Sequence, residues 1–351
     1  MSTGYFRFPT VHGDRVAFVS EDDLWVVDRS GGTAARLTAG SGRTTAPRWS
    51  PDGAAIAYTA SDEGDQDVWL MGADGGEPRR LTHLGGITSL LAWEPDGSAV
   101  WVSSNAREPF ARLRGLYRVP VDGSGPVPEP RGNVLSIARR EDGATVLGLH
   151  NGEPARWKRY RGGLAGRLWI DPAGDGEFRR YLHTLDGNVV NPIWVDGRVW
   201  FVSDHEGIGH LYSAGTTGRG LRRESGEDEF YVRTPDTDGD TVVWSAGADL
   251  FALDVASGEQ GPIAVELPSS RPARRRRFQA PGRHLESVAL HPEGHSLAVV
   301  ARGGAFTMPL WEGTPRRHGP VSSARQRLAT WMGDGERLVM VSDEGGTEHL
   351  V

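Results

Sequence analysis

One block of sequence recurs along the whole chain with small variations, and this internal repeat restricts the fold more than any other feature. Its clearest copy is residues 47–82, PRWSPDGAAIAYTASDEGDQDVWLMGADGGEPRRLT. It reads as a strand ending at Trp49, a Pro-Asp-Gly turn, the strand IAYTA, a polar loop, the strand VWLM, a Gly-Gly turn and the strand PRRLT. Partial copies begin at HGDRVAFVSEDDLW and continue through AWEPDGSAVWVSS, ARREDGATVLGLH, IWVDGRVWFVSDHEG, TDGDTVVWSAGADLFALD, ALHPEGHSLAVVARGGAFTMPL and TWMGDGERLVMVSDEGG. The first-turn glycines Gly13, Gly53, Gly97, Gly143, Gly197, Gly239, Gly294 and Gly335 are 40, 44, 46, 54, 42, 55 and 41 residues apart. Four short strands repeating at about 40–50 residues are the signature of a β-propeller blade. Asp-Gly and Gly-Gly suit the hairpins, because such turns need a positive φ that glycine adopts without steric cost. The third strand carries an aromatic at a fixed place, Trp25, Trp69, Tyr117, Trp169, Tyr212 and Phe251, which reads as packing between blades rather than as a ligand cage.

Composition agrees with an all-β chain. The sequence holds 48 Gly, 22 Pro and 12 Trp in 351 residues, which favours short strands, tight turns and aromatic anchors over long helices. Cysteine is absent, which removes disulfides, thiolate metal sites and a cysteine nucleophile together. A net charge of -7 argues against a general nucleic-acid binder. The opening MSTGYFRFPTVHGDRVAF has no charged segment followed by an apolar run, and no stretch of about 18 apolar residues occurs, so the expectation is a soluble, cytoplasmic protein with no membrane partner.

Two irregularities set the expected domains. PSSRPARRRRFQAPGR, residues 268–283, interrupts the strand pattern and reads as a linker. The last copy stops at TEHLV, where its third strand is forming. The expected organisation is therefore a six-bladed propeller over 1–267, the linker over 268–283, and over 284–351 one blade and an unfinished second blade of another propeller. On this reading the chain is the front part of a longer protein. A single seven- or eight-bladed ring is the competing geometry, and it has to absorb the arginine run and a broken last blade.

Local imitations of catalytic motifs dissolve on alignment. Gly-His-Ser-Leu-Ala at 294–298 resembles a nucleophile elbow, but it fills the slot of Gly-Ala-Ala-Ile-Ala in the second repeat, a hairpin with no helix after it. His205, Glu206 and His210 are spaced by five rather than the four a zinc-binding helix needs, and they align with the loop SDEGG. Asp22 with Asp23, and Glu227, Asp228 and Glu229, read as solvated loop charge. No phosphate-binding or dinucleotide fingerprint is present, and neither a cofactor nor a metal is expected. These residues contain no complete active site.

The long loops between the second and third strands of blades three and four are basic: SSNAREPFARLRGLY and LHNGEPARWKRYRGGLAGRLW. In a propeller such loops share one face with the connections between blades. Arg107, Arg112, Arg114, Arg156, Lys158, Arg159, Arg161 and Arg167 are thus expected on neighbouring parts of one rim, where guanidinium groups can pair with peptide carboxylates or with acidic groups of another domain.

WSPDG, SDEG and DVWLMGADGGEPRRLT look like the repeats of TolB-like proteins and of oligopeptidase propellers. HGDRVAFVSEDDLW, WKRYRGGLAGRLWI, NPIWVDGRVWFVSDHEGIGHLYS and ARGGAFTMPLWEG, in this order, resemble the N-terminal part of the tricorn protease family over essentially the whole chain. The resemblance implies a six-bladed propeller followed by a seven-bladed one, and a catalytic serine and histidine well beyond Val351. It also implies a peptidase of oligopeptides released by the proteasome or other unfoldases, with propellers that gate and channel substrate, and a homo-oligomer that is a hexamer in the family. Family members can hold a peptide carboxylate with an arginine pair from the loop entering the third blade. The corresponding LTHLGGITSLLAW has no arginine, a departure from that pattern. A TolB-like binding scaffold is the alternative, and a propeller oligopeptidase with an α/β-hydrolase domain a third reading.

Overall fold

The computed structural model describes residues 4–40, 42–226, 230–271, 280–319 and 324–351. The arginine run of the expected linker and the acidic group Glu227, Asp228 and Glu229 lie outside these residues. The chain divides into two compact units, Met1–Ala273 and Arg274–Val351. The described elements are β-strands and short 3-10 turns, and no helix among the described residues is long and apolar enough to cross a membrane.

In the first unit six antiparallel sheets of four strands follow one another along the chain, each a meander of consecutive strands. Blade 1 is built from Arg7–His12, Arg15–Ser20, Asp23–Asp28 and Ala35–Arg36. The sheets pack face to face through alternating apolar residues, as the period of a strand requires. Phe18, Trp25 and Val27 of blade 1 share a core with Val243 and Leu250 of blade 6, so the ring is closed by direct packing of the last blade on the first. The segment after blade 6 completes the closure. Val265–Glu266 pairs in parallel with Gly32–Thr33, Gly32 N donates to Ala264 O at 2.8 Å, and Ala34 N donates to Glu266 O at 2.9 Å. Closing the ring in this way leaves no open strand edge on blade 1 at that point.

The repeated Arg-Leu-Thr of the sequence has a physical reason. In blade 2 Asp67 opens the third strand with its carboxylate buried, and it accepts from Thr82 Oγ1 at 2.6 Å and from Arg80 Nη2 at 2.5 Å. The Arg80 guanidinium lies 5.8 Å from the Trp69 ring centre. Blade 1 repeats the arrangement with Asp23, Thr38, Arg36 and Trp25. The motif therefore fastens the fourth strand to the third through a charge that would be costly to leave unpaired.

Every innermost strand of the first unit carries an irregular register between two of its pairs, at Arg7/Thr10, Thr45/Arg48, Leu90/Ala92, Val134/Ser136, Val190/Ile193 and Arg233/Asp236. In four of them a residue with positive φ precedes a proline: Phe8, Ala46, Asn191 and Thr234, with φ from 46° to 53°. Proline fits such a bulge because it has no N–H to contribute to a ladder. Residues at or beside each of these bulges line one cavity.

Five of the six third-strand aromatics are buried or half-buried between blades, and Trp244 stacks on Phe251 at 5.8 Å. Trp169 departs from the expectation. Its neighbours Leu168 and Ile170 are buried, whereas Trp169 is 37 % exposed. It shares a sheet face with its partner Leu147, which packs toward blade 3. Leu168 and Ile170, not the tryptophan, anchor this strand in the core.

The second unit consists of a four-stranded sheet, Leu285–Leu290, Ser296–Ala301, Gly304–Pro309 and Arg316–His318, and a three-stranded sheet, Gln326–Trp331, Leu338–Ser342 and His349–Leu350. Ala298, Val300, Ala305, Ala329 and Met340 form its core. Ser296 opens a strand, is 8 % exposed and is followed by no helix, as the repeat alignment expects.

Candidate functional site

All six innermost strands of the first unit line one central cavity of about 820 Å³. Its wall includes His12, Arg48, Trp93, Arg139, Trp194 and Asp236, one from each blade in turn. Indole groups tie neighbouring walls together: Trp93 Nε1 donates to Arg48 O at 3.0 Å, and Trp194 Nε1 donates to Ala138 O at 3.3 Å. Glu94 is shared between Arg118 at 3.2 Å and Arg139 at 3.5 Å. The cavity is thus lined by peptide groups, aromatic faces and fixed charges of both signs, unlike the predominantly apolar pockets of small-molecule sites.

Asp236 is the unusual charge of this wall. Burial pushes its carboxyl above the ordinary value of 3.8, against the pull of the Arg48 guanidinium 3.7 Å away and of hydrogen bonds from Thr10 and two backbone N–H groups. A carboxyl whose folded pKa is raised contributes stability that is fully present below its unfolded value and is lost as pH rises through the folded one. Asp236→Asn removes this dependence. The midpoint of urea unfolding of the variant, relative to the unsubstituted chain, should therefore rise with pH across the acid range, and a constant difference between the two would contradict the assignment.

On the face that carries the loops between second and third strands, the blade-four loop is a built structure. Asn188 and Asp204 of blade 5 are fully buried and hold it. Asp204 accepts from Asn188 N at 2.7 Å, from Asn188 Nδ2 at 2.9 Å and from Arg159 N at 3.1 Å. Asn188 Oδ1 in turn accepts from Asn151 Nδ2 at 2.9 Å and from Gly166 N at 3.0 Å, so both ends of the loop are bound to one buried amide. Gly166 is required there: a Cβ would come within 2.1 Å of Val190 Cγ1. From this base Glu153 reaches Arg233 of blade 6 at 2.7 Å, and Arg233 also reaches the Tyr5 hydroxyl at 3.3 Å.

The eight cations singled out from the sequence separate into two groups. Arg159 donates to Gly207 O at 3.2 Å, Arg167 to Gly187 O at 2.7 Å, and Arg161 pairs with Asp186 at 2.5 Å. Lys158 lies 5.5 Å from the Tyr231 ring centre, and Arg114 donates to Ile87 O at 2.7 Å. These five are engaged within the propeller, and burial pulls the guanidinium groups of Arg114 and Arg167 below their usual value. Arg107, Arg112 and Arg156 are exposed, and their side chains have no ion-pair or hydrogen-bond partner among the described residues. Exposed aromatic surface accompanies them: Phe110 is 69 % exposed, and Trp157, 61 % exposed, stacks on Tyr160 at 4.0 Å. No hydrogen bond or ion pair joins the blade-three loop to the blade-four loop among the described residues. His205, Glu206 and His210 do not converge on a metal geometry. His205 Nδ1 meets Ser203 Oγ at 3.0 Å, and Glu206 accepts from Tyr212 at 2.7 Å.

The sequence reading missed the cavity wall and the Glu153–Arg233 pair. The Xaa-Pro pairs in four innermost strands were the available signal for the wall. Nothing in sequence spacing signals a contact between residues 80 positions apart.

Six four-stranded blades closed around a lined cavity define a β-propeller domain of the kind that surrounds a central passage. Residues 3–259 match the family described as the tricorn protease N-terminal beta propeller domain. The chain belongs to the tricorn protease family. It is 37% identical over 349 residues to tricorn protease homolog 1 of Streptomyces coelicolor, covering 99% of this chain and 33% of that protein. With the tricorn protease of Thermoplasma acidophilum it shares 30% identity over 310 residues, 85% of this chain and 28% of that protein. A solved structure described as the crystal structure of the tricorn protease superposes with a TM-score of 0.81 at 27% identity, covering 99% of this chain and 35% of the other. The chain thus spans about a third of the length of the relatives it matches.

Proposed function

We infer that this chain is the N-terminal propeller portion of a tricorn-like serine peptidase that degrades oligopeptides downstream of the proteasome or other ATP-dependent proteases. The propeller serves as a gate for substrate or product and as a docking scaffold, and the catalytic residues belong to another part of the protein. The observation that carries this reading is the match of 99% of this chain to a third of a tricorn protease homolog. The cavity lined by all six blades supports the gate, since it offers a peptide one wall of polar, charged and aromatic groups. Arg107, Arg112 and Arg156, which the propeller itself leaves unengaged, support docking of carboxylates from a neighbouring domain or a peptide. Assembly into a homo-hexamer and a cytoplasmic setting belong to the same reading.

Two measurements test it. The purified chain should not hydrolyse fluorogenic oligopeptides, and turnover that disappears in Ser296→Ala would overturn the placement of the active site elsewhere. The genomic reading frame downstream of the Val351 codon should encode further blades and a serine-containing region. A stop with no such region nearby would leave a binding scaffold as the better reading.

A further inference from the structure

The junction between blades 3 and 4 is built differently from the other five, and we propose that the ring opens reversibly there, with Arg139 as the catch. A side cavity of about 260 Å³ lies between these two blades. Leu116 of blade 3 and Leu147 of blade 4 line it, and it extends to Glu129 and Arg131 at the outer edge. Its inner end is formed by Ile137 and Arg139, which also belong to the wall of the central cavity. The two cavities therefore meet at these two residues.

Three observations mark this junction as the weakest. Its core holds five buried apolar residues, Trp101, Leu116, Val134, Ile137 and Leu147, whereas each of the other junctions holds eight to twelve, so less apolar surface resists separation. Backbone donors tie the other blades together. Trp49 N reaches Thr10 Oγ1 at 3.2 Å, Leu90 N reaches Thr59 Oγ1 at 2.9 Å, Val189 N reaches Gly166 O at 3.1 Å, Val232 N reaches Gly209 O at 2.8 Å, and Phe6 N reaches Ala248 O at 3.0 Å. Among the described residues no backbone N–H of blade 4 donates to blade 3. The third observation is proline. Pro9, Pro47, Pro192 and Pro235 stand in the innermost strands of blades 1, 2, 5 and 6, whereas TSLLAW and VLSIAR of blades 3 and 4 have none. Proline locks φ, so the two bulges without it keep the most backbone freedom, and they flank this junction.

What does cross the junction is mostly charge. Arg139 reaches Glu94 of blade 3 at 3.5 Å and lies 5.9 Å from the Trp101 ring centre. Arg131 lies 5.1 Å from the Phe178 ring centre, and Arg114 N donates to Asn133 Oδ1 in the connecting segment at 3.0 Å. Glu94 also pairs with Arg118 of its own blade at 3.2 Å, so Arg139 can leave without stranding a buried carboxylate. Its departure joins the side cavity to the central one and gives the ring a lateral mouth. The opening rests on the first unit alone, and its use by a peptide rests on the gate reading.

The chain has no cysteine, so one introduced thiol reports local exposure through its reaction with dithiobis-nitrobenzoate. Leu116→Cys places a thiol in this junction, and Leu211→Cys places one in the junction of blades 5 and 6. The two leucines are matched: each precedes the third-strand tyrosine, and they are 2 % and 0 % exposed. Without denaturant the thiol of Leu116→Cys should react at least about tenfold faster, because local opening exposes it while the other waits for global unfolding. Adding Arg139→Gln should speed the first reaction about fivefold further, the scale of a half-exposed ion pair, and leave the second unchanged. Equal rates for the two thiols, or no acceleration in Arg139→Gln, would overturn the proposal. Acceleration of both thiols alike would also overturn it, since that is loss of global stability. None of these outcomes bears on the peptidase reading, because a passage along the ring axis needs no lateral opening.

Discussion

Asp204→Ala should lower the stability of the first unit by about 3 kcal/mol, measured as a fall in the urea midpoint, because it strands three donors that converge on one buried carboxylate. The effect should extend beyond Asp204. Without the carboxylate, Asn188 loses the partners that orient its amide, and with them the hold of Asn188 Oδ1 on Asn151 and Gly166. Hydrogen exchange at residues 151–166 should therefore accelerate more than exchange in the innermost strands. Asp204→Asn is the sharper probe. It keeps the shape but replaces an acceptor oxygen with an NH₂ group that must face a donor, so it should recover little of the loss. Full recovery in the asparagine variant would mean that shape, not acceptance, holds the loop.

The second large effect is expected at Asp67. Its carboxylate is nearly inaccessible and binds Arg80, Thr82 Oγ1 and Leu84 N, at 2.5, 2.6 and 3.2 Å. Asp67→Ala leaves the buried Thr82 hydroxyl and the Leu84 N–H without their acceptor, whereas Arg80 keeps Glu63 at 2.5 Å and Thr82 O at 2.9 Å, a loss of about 3 kcal/mol. Thr82→Ala should cost less, about 1–2 kcal/mol, since the ion pair with Arg80 survives. If the two substitutions were equally mild, the Arg-Leu-Thr repeat would be a packing motif and not an electrostatic clasp. Blade 1 offers an internal control through Asp23, Arg36 and Thr38, which repeat the contact.

The two clasps differ in how far they could be read from sequence. The residues of the Asp67 clasp recur in order, an acidic residue opening the third strand and Arg-Leu-Thr in the fourth, so the repeat announces them even before their contact is known. Asp204 sits in a stretch that aligns with an ordinary Ser-Asp-Glu-Gly loop. Its partner Asn188 precedes the innermost strand of blade 5 as Asn133 precedes that of blade 4, a place in the repeat that does not show which groups converge there. The basic run Arg156–Arg167 was legible as an enlarged loop on one face. That five of the eight cations on this face are engaged by carbonyls, an aspartate and a tyrosine ring of the propeller itself was not, because carbonyl positions depend on backbone geometry rather than on residue type. Trp169 shows the converse error. A regular aromatic place in the repeat does not guarantee cover: Trp169 is 37 % exposed although Trp69 is buried against a blade whose outer strand is shorter than that of blade 3.

Sequence alone determined the blade, its four strands and the positions of its turns, because strand alternation and glycine turns act within a few residues and repeat with the chain. It also determined that no motif for nucleotide or cysteine chemistry is present. Tertiary structure decided how the ring closes, which cations remain unengaged, what lines the central cavity, and which junction between blades is thinly packed. Each of these depends on groups brought together from distant residues, or on the exact path of a turn. Coulomb and hydrogen-bond energies fall off within a few ångströms, a separation that sequence spacing does not measure.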